Sequence, residues 1–168
     1  MKELPVRKDI RLKEYDYSSA GCYFITVCVK DRHELLGEIL VGDAVPSVPS
    51  RMKLSNIGKL VNAYLSRMND VLELATLDCF AIMPNHVHLL ISLQTERRGT
   101  LRTASPTKAV IPRIVHGMKS VTTRNSGYSI WQRSYHDHII RDEAEYQKIW
   151  QYIEENPSRW TEDRYYKT

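Results

Sequence analysis

The sequence predicts an α+β domain, an antiparallel sheet with helices packed on one face in the ferredoxin-like (RRM-like) arrangement. Three observations predict it. The run Gly21-Cys-Tyr-Phe-Ile-Thr-Val-Cys-Val29 is dense in β-branched and aromatic residues, as strands are. Between Leu54 and Leu74 the apolar period changes. Ile57, Leu60, Val61, Tyr64, Leu65, Met68 and Leu72 recur at three- and four-residue steps, the pattern of an amphipathic helix. Two apolar runs, 78–83 and 87–93, then follow one another across Met83-Pro84-Asn85. Proline fixes φ and asparagine tolerates turn conformations, so the join is tight and the runs are antiparallel neighbours.

The remaining elements take their places around these. Residues 1–20 are polar and of mixed charge and form an N-terminal arm. After the first strand, Lys30 to Glu34 is a polar break, and the run Leu35–Val41 can pair back as a hairpin. Residues 42–51, with Pro46 and Pro49, read as a loop. Ser55 is the N-cap of the long helix. Residues 94–112 form a second, mobile loop containing Gly99, Pro106 and Pro112. Ile114, Val115, Met118 and Val121 give a shorter helix closed by Asn125-Ser126-Gly127, and Tyr128–Trp131 reads as a short strand. Ser134 can cap a helix over 135–141. A last helix runs from Glu143 to Glu155 and stops at Asn156-Pro157, since the residue before proline disfavours the helical region.

Composition bounds the function. With 168 residues the chain fits one domain, because domains commonly run ~100–200 residues. Cys22, Cys28 and Cys79 are an odd number without paired spacing, which argues against a disulfide framework and for a reducing, cytoplasmic setting. No run of ~18 apolar residues occurs, so no membrane span is expected. The net charge is +4, but it is unevenly spread. Between Arg97 and Arg141 stand nine Lys or Arg and one acid, Asp137, a balance of 9 − 1 = +8, leaving 4 − 8 = −4 elsewhere. Such a segment is either a solvated face or a surface for a polyanion, with Lys119, Arg124 and Arg133 its candidate phosphate contacts.

Chemistry gathers in two stretches. In a strand, His86 and His88 share a face while Val87 points the other way. Two imidazoles on one pleated face are either half-buried polar groups at a strand start or two nitrogens for one divalent ion. The other stretch is Trp131-Gln-Arg-Ser-Tyr-His-Asp-His-Ile-Ile-Arg141. On a helix, Tyr135 and His138 share a face. The tyrosine either packs its ring and hydrogen-bonds its hydroxyl, or serves as a nucleophile where a cation offsets charge on a neighbouring phosphate.

Four motifs in order carry a resemblance: Gly21-Cys-Tyr-Phe-Ile-Thr-Val, Met83-Pro-Asn-His-Val-His-Leu-Leu-Ile, the 131–141 stretch, and Tyr152-Ile-Glu-Glu-Asn-Pro. Together, over about residues 7–160, they resemble the REP-associated tyrosine transposases, relatives of the single-tyrosine insertion-sequence transposases in the HUH (His-hydrophobic-His) nuclease superfamily. The resemblance implies a ferredoxin-like core, metal ligands His86 and His88, and Tyr135 as catalytic tyrosine on a facing helix. It implies a third ligand on that helix, His138 by spacing with Asp137 second. Tyr128, Tyr146 and Tyr152 read as less well placed nucleophiles.

The implied activity is that of a DNA transposase, a single-strand endonuclease and strand transferase. It would use Mg²⁺ or Mn²⁺ and pass through a covalent 5′-phosphotyrosine intermediate. The implied partner is single-stranded DNA bearing a hairpin, a REP-like palindrome, bound by a monomer or homodimer. Two other functions fit the same residues: a catalytically silent single-stranded nucleic-acid binder, and a metal-dependent hydrolase using a bound water.

Overall fold

A computed structural model describes residues 20–40, 51–94 and 110–166. The N-terminal arm expected at 1–20, all but Ala20, and most of the loops expected at 42–51 and 94–112 lie outside the described residues. The main sheet is built from β1 (Gly21–Cys28), β4 (Ala75–Ile82), β5 (His86–Leu93) and β6 (His136–Ile140), in the order β4-β5-β1-β6. All its neighbours are antiparallel. With α1 (Asn56–Ser66) between β1 and β4 and α3 (Val110–Ser126) between β5 and β6, this is the ferredoxin-like topology expected from the sequence.

Alternation along the strands divides the sheet into two chemical faces. Tyr23, Ile25 and Val27 of β1 and Val87, Leu89 and Ile91 of β5 are fully buried in one core with Val61 and Leu65 of α1 and Ile114 and Met118 of α3. Each such apolar side chain contributes about 1.5–3 kcal/mol relative to exposure. The opposite face carries Phe24, Thr26, His86, His88 and Leu90. There α4 (Glu143–Glu155) packs Ile153, with Ile149 and Trp150, against Ala81, Leu90 and Ile140. After α4 the chain continues as a 3-10 segment, Asn156–Glu162, that brings residues 163–166 back over the sheet. No helix among the described residues is long and apolar enough to cross a membrane.

The structure corrects several elements. The helix expected over 54–74 divides at Arg67 into α1 and a short α2 (Met68–Val71), while Ser55 caps α1 as expected, accepting from Gly58 N at 3.1 Å. The run after Leu35 does not return to β1. Its β2 (Gly37–Leu40) pairs with β3 (Arg51–Leu54) in a separate two-stranded ribbon. Of the strand expected at 128–131 there remains one bridge between Val29 and Trp131. The helix expected over 135–141 is instead the edge strand β6, paired with β1 from Cys22↔Ile140 to Thr26↔His136. A serine cap and a three-residue Tyr–His spacing suggested a helix, but His-Asp-His-Ile-Ile can close the sheet beside β1, and tertiary pairing overrides so weak a local preference.

Candidate metal and nucleophile site

The β4–β5 join is held by Met83 N donating to the His86 carbonyl at 2.9 Å, and by Asn85 O accepting from Val29 N at 2.8 Å. It delivers His86 and His88, both buried, onto the α4 face of the two central strands. Their Nε2 atoms stand 2.9 Å apart. Each Nδ1 is held from behind. His86 Nδ1 lies 2.8 Å from Asn85 Oδ1, and His88 Nδ1 lies 2.9 Å from Thr26 Oγ1. This outer support is what orients imidazoles that share a metal.

Asp163 completes a group: one ligand atom from each of His86, His88 and Asp163 lies within 4.8 Å of the others. The Asp163 carboxylate is itself fixed, Oδ1 accepting from Tyr165 N at 2.6 Å and Oδ2 from the Tyr152 hydroxyl at 3.0 Å. Burial pushes His86 down to about 3, helped by the charges of Arg32 and Arg164. Burial likewise holds His88 well below its ordinary value, with the neighbouring His86 adding to it and Asp163 opposing. Both rings are therefore neutral at neutral pH, as nitrogen ligands must be. Two nitrogens and a carboxylate suit a borderline divalent ion, and the orphaned amide of Asn156 adds a polar group nearby. Asn156 is 2% exposed, and neither amide atom finds a hydrogen-bond partner among the described residues. It lines a cavity of about 260 Å³ with Tyr152 and Asp163.

Tyr152, on α4, points its hydroxyl at this group, 3.4 Å from His88 Nε2. The residue is 39% exposed, so a substrate can reach it. Burial, and then the charge of Asp163, raise its phenol above the usual range. A larger cavity of about 380 Å³ opens beside it, lined by Phe24, His88, His136, His138, Arg164 and Tyr165 among others. Arg32 and Arg164 supply positive charge here, their guanidinium carbons 5.1 and 4.8 Å from the centre of the Tyr165 ring.

The structure thus brings His86 and His88 together and separates them from Tyr135. That ring packs with Ile139 against the α1/α3 core, on the other side of the sheet. His138 lies at the rim of the larger cavity, but its Nε2 is bonded to Glu145 Oε1 at 2.7 Å. Without the expected helix, neither His138 nor Asp137 follows the nucleophile on its own helix. Lys119 donates to the carbonyls of Gln132, Arg133 and Ser134, at 2.7, 3.4 and 3.2 Å, and so anchors the approach to β6. Arg124 and Arg133 are exposed. Sequence reading passed over Asp163, Arg32 and Arg164. The signal for the site was the fourth motif, whose Tyr152 and Asn156 stand one helical turn apart.

An uncharacterized protein of Haemophilus influenzae (strain ATCC 51907 / DSM 11121 / KW20 / Rd) is 33% identical to this chain over 178 aligned positions, covering 95% of this chain and 93% of that one. The chain belongs to that protein's family. No family model matches it. Among solved structures, a REP-associated tyrosine transposase bound to a REP hairpin matches with a TM-score of 0.58 and 18% identity, over 89% of this chain and 74% of that one. A protein from Deinococcus radiodurans provisionally classed as a transposase matches at a TM-score of 0.41 and 19% identity, over 86% and 95%. The fold is therefore that of a REP-associated tyrosine transposase, in agreement with the resemblance carried by the four motifs.

Proposed function

We propose that this chain is a metal-dependent tyrosine transposase-type nuclease that cleaves and rejoins single-stranded, hairpin-bearing DNA, with Tyr152 as its nucleophile. The observation that carries the reading is the hydroxyl of Tyr152 beside both His88 and Asp163. His86, His88 and Asp163 would hold a divalent ion, Mg²⁺ or Mn²⁺, with the Asn156 amide as a further oxygen donor. Manganese is the better match to two imidazoles. When bound, such an ion supplies charge neutralisation at the scissile phosphate and in the field around the tyrosine.

This chain's residues do the rest. Asp163 accepts the phenolic proton through the hydrogen bond it already makes. The Tyr152 oxygen forms the new bond to phosphorus, and the bond to the 3′ oxygen breaks. The departing 3′ oxygen takes up a proton from solvent, so the products are a 5′-phosphotyrosine and a free 3′-hydroxyl. When that hydroxyl later loses its proton and attacks back, the tyrosine is released and reprotonated. Arg32 and Arg164 are placed to meet the phosphate's charge, and Arg124 and Arg133 are candidate contacts for the more distant backbone.

The test is a denaturing gel with a labelled hairpin oligonucleotide and Mn²⁺. A protein–DNA adduct should form only when the label lies 3′ of the cut, and Tyr152→Phe should abolish it. Cleavage without an adduct would assign the attack to water and the chain to the metal hydrolases. Binding without cleavage would leave the silent binder.

A further inference from the structure

Behind the two histidines lies a side chain with no role in the reaction above. Asn85 is fully buried at the tip of the β4–β5 join. Its Nδ2 donates to the Tyr165 carbonyl at 2.9 Å and, more weakly, to the Arg32 carbonyl at 3.4 Å. Carbonyl oxygens only accept, so these two contacts decide which end of the amide faces them. The oxygen, Oδ1, must then face His86 Nδ1, 2.8 Å away. An amide oxygen also only accepts, so Nδ1 carries the hydrogen. With its hydrogen on Nδ1, the ring presents a bare Nε2 to His88 Nε2, 2.9 Å away. That contact then requires the hydrogen on His88 Nε2, so in the metal-free protein His88 Nδ1 accepts from the Thr26 hydroxyl. The hydroxyl can turn to accept instead, which lets His88 free its own Nε2 for a metal.

We infer that Asn85 is a positioning residue that locks His86 in the Nδ1–H tautomer and so presets Nε2 as a metal ligand, with the amide itself keyed by the backbone of the C-terminal segment. The keying carbonyls come from two places that the fold must assemble. Tyr165 follows Asp163 by two residues, so the segment that brings the carboxylate also aligns the imidazole. Arg32 lies in a pair of left-handed residues, Asp31 (φ 55°) and Arg32 (φ 57°), a conformation that non-glycine residues enter at a cost and that is met at functional sites. The two halves of the site thus share one amide.

The inference rests on His86 being a ligand, but its test needs neither DNA nor cleavage. Long-range proton–nitrogen correlation spectra of the full chain, histidine-labelled with ¹⁵N and treated with chelator, read the tautomer directly. The His86 signals are assigned by their loss in His86→Gln. Wild type should show His86 protonated at Nδ1. Asn85→Leu removes the acceptor and should release the ring to the other tautomer, weakening Mn²⁺ binding in calorimetry by about 10–100-fold. Asn85→Asp keeps an acceptor oxygen and should keep the Nδ1–H form. His86 protonated at Nε2 in wild type overturns the inference, even should both variants fail to fold. So does Asn85→Leu with an unchanged tautomer and unchanged Mn²⁺ affinity. The tautomer readout is independent of the gel assay, so failure of one does not imply failure of the other.

Discussion

The hydroxyl of Tyr152 lies 3.4 Å from Nε2 of His88, although the two residues are 64 positions apart in the chain. One comes from a helix packed across the sheet and the other from a central strand, and the Tyr152 hydroxyl also donates to Asp163. The two candidate tyrosines can be separated by experiment, because they stand on opposite faces of the sheet. Tyr152→Phe should lower cleavage by about three orders of magnitude or more while DNA affinity persists, as expected for loss of a nucleophile. Tyr135→Phe should cleave like wild type, since its ring packs into the α1/α3 core. Single-turnover gels on both variants decide it, and the opposite pattern would restore Tyr135.

Metal affinity should follow the cluster and not the earlier third-ligand candidate. His86→Ala, His88→Ala or Asp163→Ala should each weaken Mn²⁺ binding by at least about 100-fold, more than is typical for a supporting residue. His138→Ala should leave it unchanged, because that ring's Nε2 is bonded to Glu145. Titration calorimetry measures both. A large loss in His138→Ala would move the site toward β6.

Acid should destabilise the metal-free protein. The folded His86 and His88 values lie below the ordinary 6.5, so the unfolded chain binds protons that the folded chain does not. Stability is fully present above about 6.5 and falls as pH drops; for His86 the loss runs from there toward about 3. Each histidine can contribute up to about 1.4 kcal/mol per pH unit in that window. Urea unfolding in chelator at pH 7.5, 6 and 5 should show the decline, and His86→Gln should make it shallower. A flat profile would mean the imidazoles are solvated.

Charge beside the site should govern salt dependence. Each phosphate neutralised on a single strand contributes about −0.7 to the slope of log affinity against log salt. Arg32→Ala and Arg164→Ala should each flatten the slope by about that amount, with smaller changes for Arg124→Ala and Arg133→Ala. Lys119→Ala should chiefly lower stability, because its ammonium holds three carbonyls before β6. Fluorescence anisotropy across a salt series checks the first group and thermal melts the second.

Gly58 offers a test of the packing itself. A Cβ there would run into the carbonyl oxygen of Leu36, where α1 meets the chain entering β2. Gly58→Ala should therefore destabilise by about 1–3 kcal/mol in urea unfolding despite its better helix propensity. A more stable variant would show that this junction can yield.

Much of the architecture could be read locally. The β-branched density of Gly21–Val29, the three-and-four spacing from Ile57 and the Pro-Asn join before His86 are short-range signals, and each element formed with its sides as expected. The one-face placement of His86 and His88 followed from strand period alone, and their burial on that face agrees with it. The last helix spans Glu143 to Glu155 as expected, begun by Asp142 accepting from Glu145 N at 2.8 Å, but Asn156 before the proline keeps helical dihedrals and the chain passes directly into the 3-10 segment.

What the sequence by itself determined, then, was the three strands β1, β4 and β5, most of the helices and the paired imidazoles, because periodicity and turn chemistry act over a few residues. Only the tertiary structure decided which groups meet those imidazoles. Whether 135–141 coils or pairs depended on an open edge of β1 more than 100 residues earlier in the chain. Whether α4 lies on the histidine face depended on Ile153 finding Ala81, Leu90 and Ile140. That packing turns Tyr152 inward and returns Asp163, Arg164 and Tyr165 to the site, and no local pattern in their own sequence encodes it. Contacts between residues far apart in the chain are set by which apolar surfaces remain to be covered, and that is known only once the whole chain has folded.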